Sequence, residues 1–358
     1  MRCHDMVMHA MSYHPRHRRS KPARLFWEFV ADWQAGDGGL HRRAGHWNMI
    51  ELASRFDFAC VRRILQKSLG YATSHQRRDG GLDAIDPSGS ACRAVLAYGR
   101  QGLLKDLLSA LPRDPLPLVL SAETPLGIKT RREALNEAGA HAAANPDSGA
   151  KVLRPRRRLP RTGAMRSTDT CGVDLAPVQD KALAARLARQ IHRDQDRNGS
   201  WHGLITATSD AIEDLLDCGV APGDAAIRKA CEWLARQQRC PDDNVFDGVP
   251  TTPPHGMFYV ADLKGEFAHL ARHHPDFPDS GGTTCLTLLP IYQTAAAVAA
   301  LCRAGQVESP AVRAGFSALL TLRGPGYTRQ PRYTDFWCAC SARIWVDKDV
   351  VRFDKRVD

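Results

Sequence analysis

Gln195-Asp-Arg-Asn198-Gly199-Ser200-Trp201 is the stretch on which the fold turns, because the same phrase returns elsewhere in the chain. It recurs as Gln34-Ala-Gly-Asp37-Gly38-Gly39-Leu40 and as Gln76-Arg-Arg-Asp79-Gly80-Gly81-Leu82, and a degenerate fourth copy begins at Gln238 (Gln238-Arg-Cys-Pro-Asp-Asp-Asn-Val-Phe246). Gln34 and Gln76 lie 42 residues apart and Gln195 and Gln238 lie 43 apart. The 119 residues from Gln76 to Gln195 are close to three such pitches. A phrase kept at a fixed pitch between helical stretches marks a repeat architecture. Its Asp-Gly or Asn-Gly step puts a residue at positive φ, which glycine tolerates at least cost, so the chain can reverse tightly between two helices. The Gln offers a donor and an acceptor with which to tie that turn to a neighbouring helix end, and a terminal Trp adds a large apolar face.

The segments between the phrases have helical spacing. After the copy at Gln195, Asp210 is expected as an N-cap with Glu213 three residues on, followed by Ala211, Ile212, Leu215 and Leu216 and a stop at Gly219. Asp224 then opens a second helix with the stripe Ile227, Ala230, Cys231, Trp233 and Leu234. The pattern returns as an Ala-rich helix from Thr294 to Gly305, and Ser309-Pro310 caps a partner with the stripe Val312, Phe316, Leu319 and Leu320. The expected fold class is all-α, each unit being helix, turn, helix and joint.

On these residues the chain resembles a known family. Gln195 to Trp201 is similar to the Gln-x-x-Asp-Gly-Ser-Trp repeat of squalene and hopene cyclases, with Asn198 in the Asp place. Gln76 to Leu82 is similar to the Gln-x-x-Asp-Gly-Gly-Phe form found in protein prenyltransferase β subunits. The resemblance covers about residues 25 to 110 and 180 to 325. It implies an α/α toroid of two-helix repeats of about 42 residues around a cavity, incomplete or interrupted where residues 112–180 hide the units that the pitch requires. It also implies a hydrophobic, isoprenoid-like ligand, with Tyr98 and Tyr259 as candidate ligand-binding residues and Asp210 and His202 as candidate catalytic groups at the cavity or its mouth. The family's Asp-x-Asp-Asp acid is absent, as is an Asp-Asp-x-x-Asp diphosphate motif, and of the helices expected to line the cavity only the one holding Tyr98 has an aromatic residue. A helical-repeat scaffold for a protein partner is the alternative function.

Composition sets outer bounds. The 358 residues are 43% hydrophobic, and no stretch reaches the roughly 18–20 apolar residues of a membrane span or carries a secretory signal, so a cytoplasmic protein is expected. The net charge of +10 sits in two places, the first 25 residues and the run Lys151 to Arg166, leaving the repeats close to neutral, so a nucleic-acid partner is not expected. The expected organisation is a disordered basic tail over 1–25, helical repeats over 26–111, an irregular Pro- and Arg-rich insertion or linker over 112–180, repeats again over 181–346 and a tail over 347–358. Of eleven cysteines, Cys60, Cys92, Cys218, Cys231 and Cys302 fall in helical stripes as small buried hydrophobes. Asp169-x-Cys171 resembles the Asp-x-Cys element of the prenyltransferase zinc site. Cys338 and Cys340, with His255, His269, His273 or His274, are the other metal candidates and define a third reading, a zinc-dependent transferase. The competing reading of Cys338 is packing of a terminal helix, and no cofactor is favoured.

Overall fold

Hydrophobic residues three and four apart recur along most of the longer helices, and the computed structural model places the described residues in an all-α arrangement. The structure describes residues 3–40, 46–83, 87–121, 133–134, 136–138, 140, 176–238, 256–258, 260, 262–273 and 283–321. In chain order the helices are α1 (Cys3–Tyr13), α2 (Pro15–Arg18), α3 (Lys21–Trp33), α4 (His46–Ser54), α5 (Ala59–His75), α6 (Pro87–Arg100) and α7 (Leu104–Ala110). They continue as α8 (Leu116–Ser121), α9 (Ala176–Arg193), α10 (Ile205–Asp217), α11 (Ala225–Arg236), α12 (Leu263–His273), α13 (Thr283–Arg303) and α14 (Pro310–Thr321). Among the described residues there is no strand, and the isolated bridges pair Trp201 with Leu204 and Gln238 with Phe258. No helix among them is long and apolar enough to cross a membrane.

The chain divides into two compact units, one of residues 30–189 and one of residues 1–29 with 190–358. In the first, α6 packs on α4, α7 and α8, and α5 on α4 and α7. Trp47, Ile50, Phe56, Val61, Ile64, Leu65, Val95 and Leu107 are buried there. In the second, α13 packs on α1, α10, α11 and α14, and α10 also touches α11 and α12. From Ile291 to Cys302 every residue of α13 is buried, which an Ala-rich sequence permits because neighbouring helices can approach a small side chain from all sides.

The expectation of a disordered tail over residues 1–25 is overturned. Met6, Val7, Met8, Ala10 and Met11 bury α1 against α13, and Ala23, Phe26 and Trp27 are buried on α3. Three methionines serve where Leu or Ile would be expected, and their unbranched side chains fill an irregular interface without advertising a stripe. The irregular insertion over 112–180 is corrected in part. Its described residues include α8, with Leu116 and Val119 buried, the start of α9, and helical positions near 133–140 where Ala134 and Ala138 are buried.

The joints explain the glycine phrase atom by atom. Gln34, Gln76, Gln195 and Gln238 donate Nε2–H to the carbonyls of Gly38, Gly80, Gly199 and Gly256, at 2.7, 3.2, 3.0 and 2.7 Å. The same amide bridges to a later segment of the chain, at the carbonyls of Ile64 in α5, Arg113 ahead of α8, Ala226 in α11 and Ala311 in α14. Asp37, Asp79 and Asn198 close their turns by accepting the backbone N–H two residues on. The last residue of each phrase donates its N–H to a side chain of a later helix: Leu40 to His46 Nδ1 of α4, Leu82 to Ser90 Oγ of α6, Trp201 to Thr208 Oγ1 of α10 and Phe258 to Thr294 Oγ1 of α13. The fourth joint therefore turns at Gly256, not within Gln238–Phe246. Residues 239–255 separate its Gln from its glycine and lie outside the described residues.

All four glycines have positive φ, from 88° at Gly38 to 100° at Gly199. A Cβ on Gly199 would stand 2.6 Å from the Lys229 carbonyl oxygen, one on Gly256 2.6 Å from that of Ala314, and one on Gly38 would collide with that of Lys67. The joints thus need glycine twice over, for the dihedral and for backbone contact.

Candidate functional site

Positions i, i+3, i+4 and i+7 of a helix share a face, and on α10 those positions hold Asp210, Glu213, Asp214 and Asp217. Four carboxyls along one face repel one another unless cations from other elements meet them. Arg303, in the last turn of α13 and only 7% exposed, donates Nη1–H to Glu213 at 2.6 Å and Nη2–H to Asp217. His9 of α1 lies 3.2 Å from Glu213, and the Tyr13 ring stacks under the Arg303 guanidinium with 5.3 Å to its centroid. His269 of α12 sits 2.8 Å from Asp210. The face is thus assembled from α1, α10, α12 and α13.

The four carboxyls are not equivalent. Burial pushes the Glu213 carboxyl up, but His9 and Arg303 outweigh it and hold it well below the usual carboxylate range. Burial pushes Asp214 up to about 7, reinforced by Asp210, Asp217 and Glu213, with Arg303 pulling the other way. Asp214 is therefore an acid poised near neutrality beside an ionised pair, the arrangement in which one carboxyl can give up a proton while its neighbour stays charged. Its folded-state pKa is raised, so the protonated carboxyl is compatible with the fold below about pH 4, and stability is lost as pH rises through 7. Asp214→Asn removes that penalty. The variant should gain on the order of 2 kcal/mol over wild type at about pH 8 and nothing at about pH 4, read by denaturant unfolding at both pH values.

The other compact unit repeats the central pair. Arg100 donates Nη1–H to Glu51 at 2.6 Å and Nη2–H to Glu133 at 2.6 Å, while Arg55 bridges Glu51 from one turn away. Arg100 stands two residues before Gly102 and Arg303 two before Gly305, both glycines being helix stops at positive φ. Glu51 stands five residues after His46, and Glu213 five after Thr208, and both of those residues accept a joint's N–H. The pairs are one motif used twice. Burial raises the Glu51 carboxyl, but Arg55 and Arg100 together bring it down to about 2.

Several residues singled out from sequence fall elsewhere. Asp210 is not an N-cap: α10 begins at Ile205, five residues earlier, and Asp210 lies in its middle. The helix is capped by Glu266 of α12, which accepts the N–H of Ile205 at 2.6 Å and of Thr206 at 3.3 Å, as well as the Thr206 hydroxyl. Asp210 nevertheless belongs to the acidic face. His202 is exposed at φ 58° in the turn after Trp201 and joins none of these groups. Tyr98 is not available to a ligand: it is fully buried, and its hydroxyl donates to the Leu65 carbonyl at 2.6 Å. Trp201 packs as a joint residue, its indole N–H on the Ile191 carbonyl at 2.9 Å.

Tyr259, Cys338, Cys340, Asp169 and Cys171 lie outside the described residues, as do His255 and His274. His269, weighed from sequence only as a metal ligand, instead faces Asp210. Among the described residues no cluster of His, Cys, Asp and Glu is arranged to hold a metal ion. Cys60, Cys92, Cys231 and Cys302 are buried, and burial pushes the thiols of Cys231 and Cys302 up to about 12, leaving those two protonated and inert. His9, Tyr13, Asp214 and Arg303 were not singled out from sequence. The spacing of Asp210, Glu213, Asp214 and Asp217 was legible, but the basic groups that give it meaning, His269, Arg303 and His9, lie 59 to 204 residues away in sequence. No family model, curated protein or solved structure matches the chain.

Proposed function

We propose that the chain is an α/α toroid of the squalene cyclase and prenyltransferase β-subunit kind, a cytoplasmic protein that takes a hydrophobic, isoprenoid-like ligand. The observation that carries this reading is the joint: four copies make the same Gln-to-Gly hydrogen bond and the same bridge onward to a neighbouring segment. Buried protonated thiols fit a reducing compartment. An acid able to protonate an alkene would have to be far stronger than a carboxyl poised near 7, and Asp210, the nearest counterpart of a catalytic Asp, is engaged by His269. Ligand binding without cyclisation is therefore the reading adopted.

Two measurements test it together. Squalene and geranylgeranyl diphosphate, incubated separately with the protein, should give no cyclised product, and turnover abolished by Asp210→Asn would instead make that residue the acid. Squalene or geranylgeraniol at about 100 times its Kd should stabilise the fold by about 2.7 kcal/mol. An unchanged melting temperature with both lipids, together with native mass spectra free of any retained lipid, would remove the ligand reading.

A further inference from the structure

The corner between α1 and α2 is built on three rings in contact. His17 lies on Phe316 of α14 with 4.1 Å between centroids and 34° between planes. His14 meets the same Phe316 edge-on at 5.1 Å and His17 at 4.4 Å. Phe316 and His14 are buried. His14 also caps α2, its Nδ1 accepting the Arg16 N–H at 3.3 Å. An imidazolium carries a proton on both nitrogens and accepts nothing, so protonation of His14 necessarily removes that cap. Protonating both rings also places two cations 4.4 Å apart, beside Arg16.

We propose that His14 and His17, packed against Phe316, form a pH-operated latch that keeps the N-terminal segment α1–α2 docked on α13 and α14 when the rings are neutral and releases it when they are protonated. The charged groups facing the latch divide by sign. Arg16 opposes a cation at both rings, and Glu308, in the turn leading to α14, favours one at His14. Attraction between a cation and the Phe316 face is smaller than the loss of hydration at a buried ring next to a second cation. Burial, reinforced by His14 and Arg16, brings His17 down to about 4, and burial lowers His14 as well. A depressed histidine stabilises the docked segment above pH 6.5, and that contribution is lost as pH falls from 6.5 towards 4. On α1, His9 pairs with Glu213 at 3.2 Å. Release uncovers Met6, Val7, Met8, Ala10 and Met11 together with the surface of α13 that they cover, and takes Tyr13 off Arg303.

Hydrogen exchange of the full chain at about pH 7.5 and 5.5, corrected for intrinsic rates, tests the latch. Protection of residues 3–18 should fall about tenfold at the lower pH from His17 alone, while α11 keeps its own. His17→Phe keeps a ring on Phe316 and cannot titrate, and His14→Asn keeps an acceptor for the Arg16 N–H, so the double variant should lose most of that pH dependence. Unchanged protection of residues 3–18 in the wild type overturns the proposal, as does an equal loss in residues 3–18 and α11. If the double variant folds and shows the full tenfold fall, the titrating groups lie elsewhere and the latch is wrong. If it does not fold, the wild-type comparison decides alone.

Discussion

Gly199→Ala and Gly38→Ala are each expected to destabilise the fold by about 2–4 kcal/mol, whereas Gly219→Ala costs only about 1 kcal/mol. All three glycines have positive φ, so alanine at any of them carries the same dihedral strain of about 1 kcal/mol. They differ in what surrounds the added methyl. At Gly219 nothing lies within 4 Å, but at Gly199 the Lys229 carbonyl oxygen is 2.6 Å away and at Gly38 the Lys67 carbonyl is closer still. Those carbonyls belong to helix backbone and cannot rotate aside, so relief requires that the joint part from its neighbour, at a cost of about 1–3 kcal/mol. Denaturant unfolding of the three variants separates the terms. Equal losses at Gly199 and Gly219 would mean that the joint does not depend on close backbone approach.

Arg303→Met should be the most damaging single change at the charged face, by about 3–5 kcal/mol. It leaves Glu213 and Asp217 without their shared cation in a site where Arg303 is only 7% exposed. Adding Glu213→Gln and Asp217→Asn should recover most of the loss, because the cost lies in the abandoned charges more than in the missing pair. Arg100→Met gives the internal comparison. Arg100 is 25% exposed and its partner Glu133 32% exposed, while Arg55 still reaches Glu51, so water and the second arginine compensate and the loss should be about 1–2 kcal/mol. A triple variant no more stable than Arg303→Met alone would show that Arg303 acts by packing its apolar stem.

Three joints, the stop at Gly219 and the helices opened by Asp224 and Ser309-Pro310 were determined by sequence alone. Their causes are local: a turn that demands positive φ, a side chain that accepts Ala226 N–H at 2.8 Å, and a Ser hydroxyl that accepts Val312 N–H at 3.2 Å. Each acts within a few residues, so a short window of sequence contains the whole interaction. What only the tertiary structure decided is long-range. Glu266 caps α10 from 61 residues beyond Ile205, the fourth joint closes at Gly256 after an intervening segment, and α1 is a buried helix only because α13 offers an Ala-rich surface for its methionines. The acidic stripe of α10 was visible as spacing, but Asp214 acquires its place near neutrality from burial and from three carboxylates partly balanced by Arg303, and Arg303 reaches that face from 89 residues further along the chain. Desolvation and charge balance depend on which helices lie side by side, and a linear pattern does not contain that information.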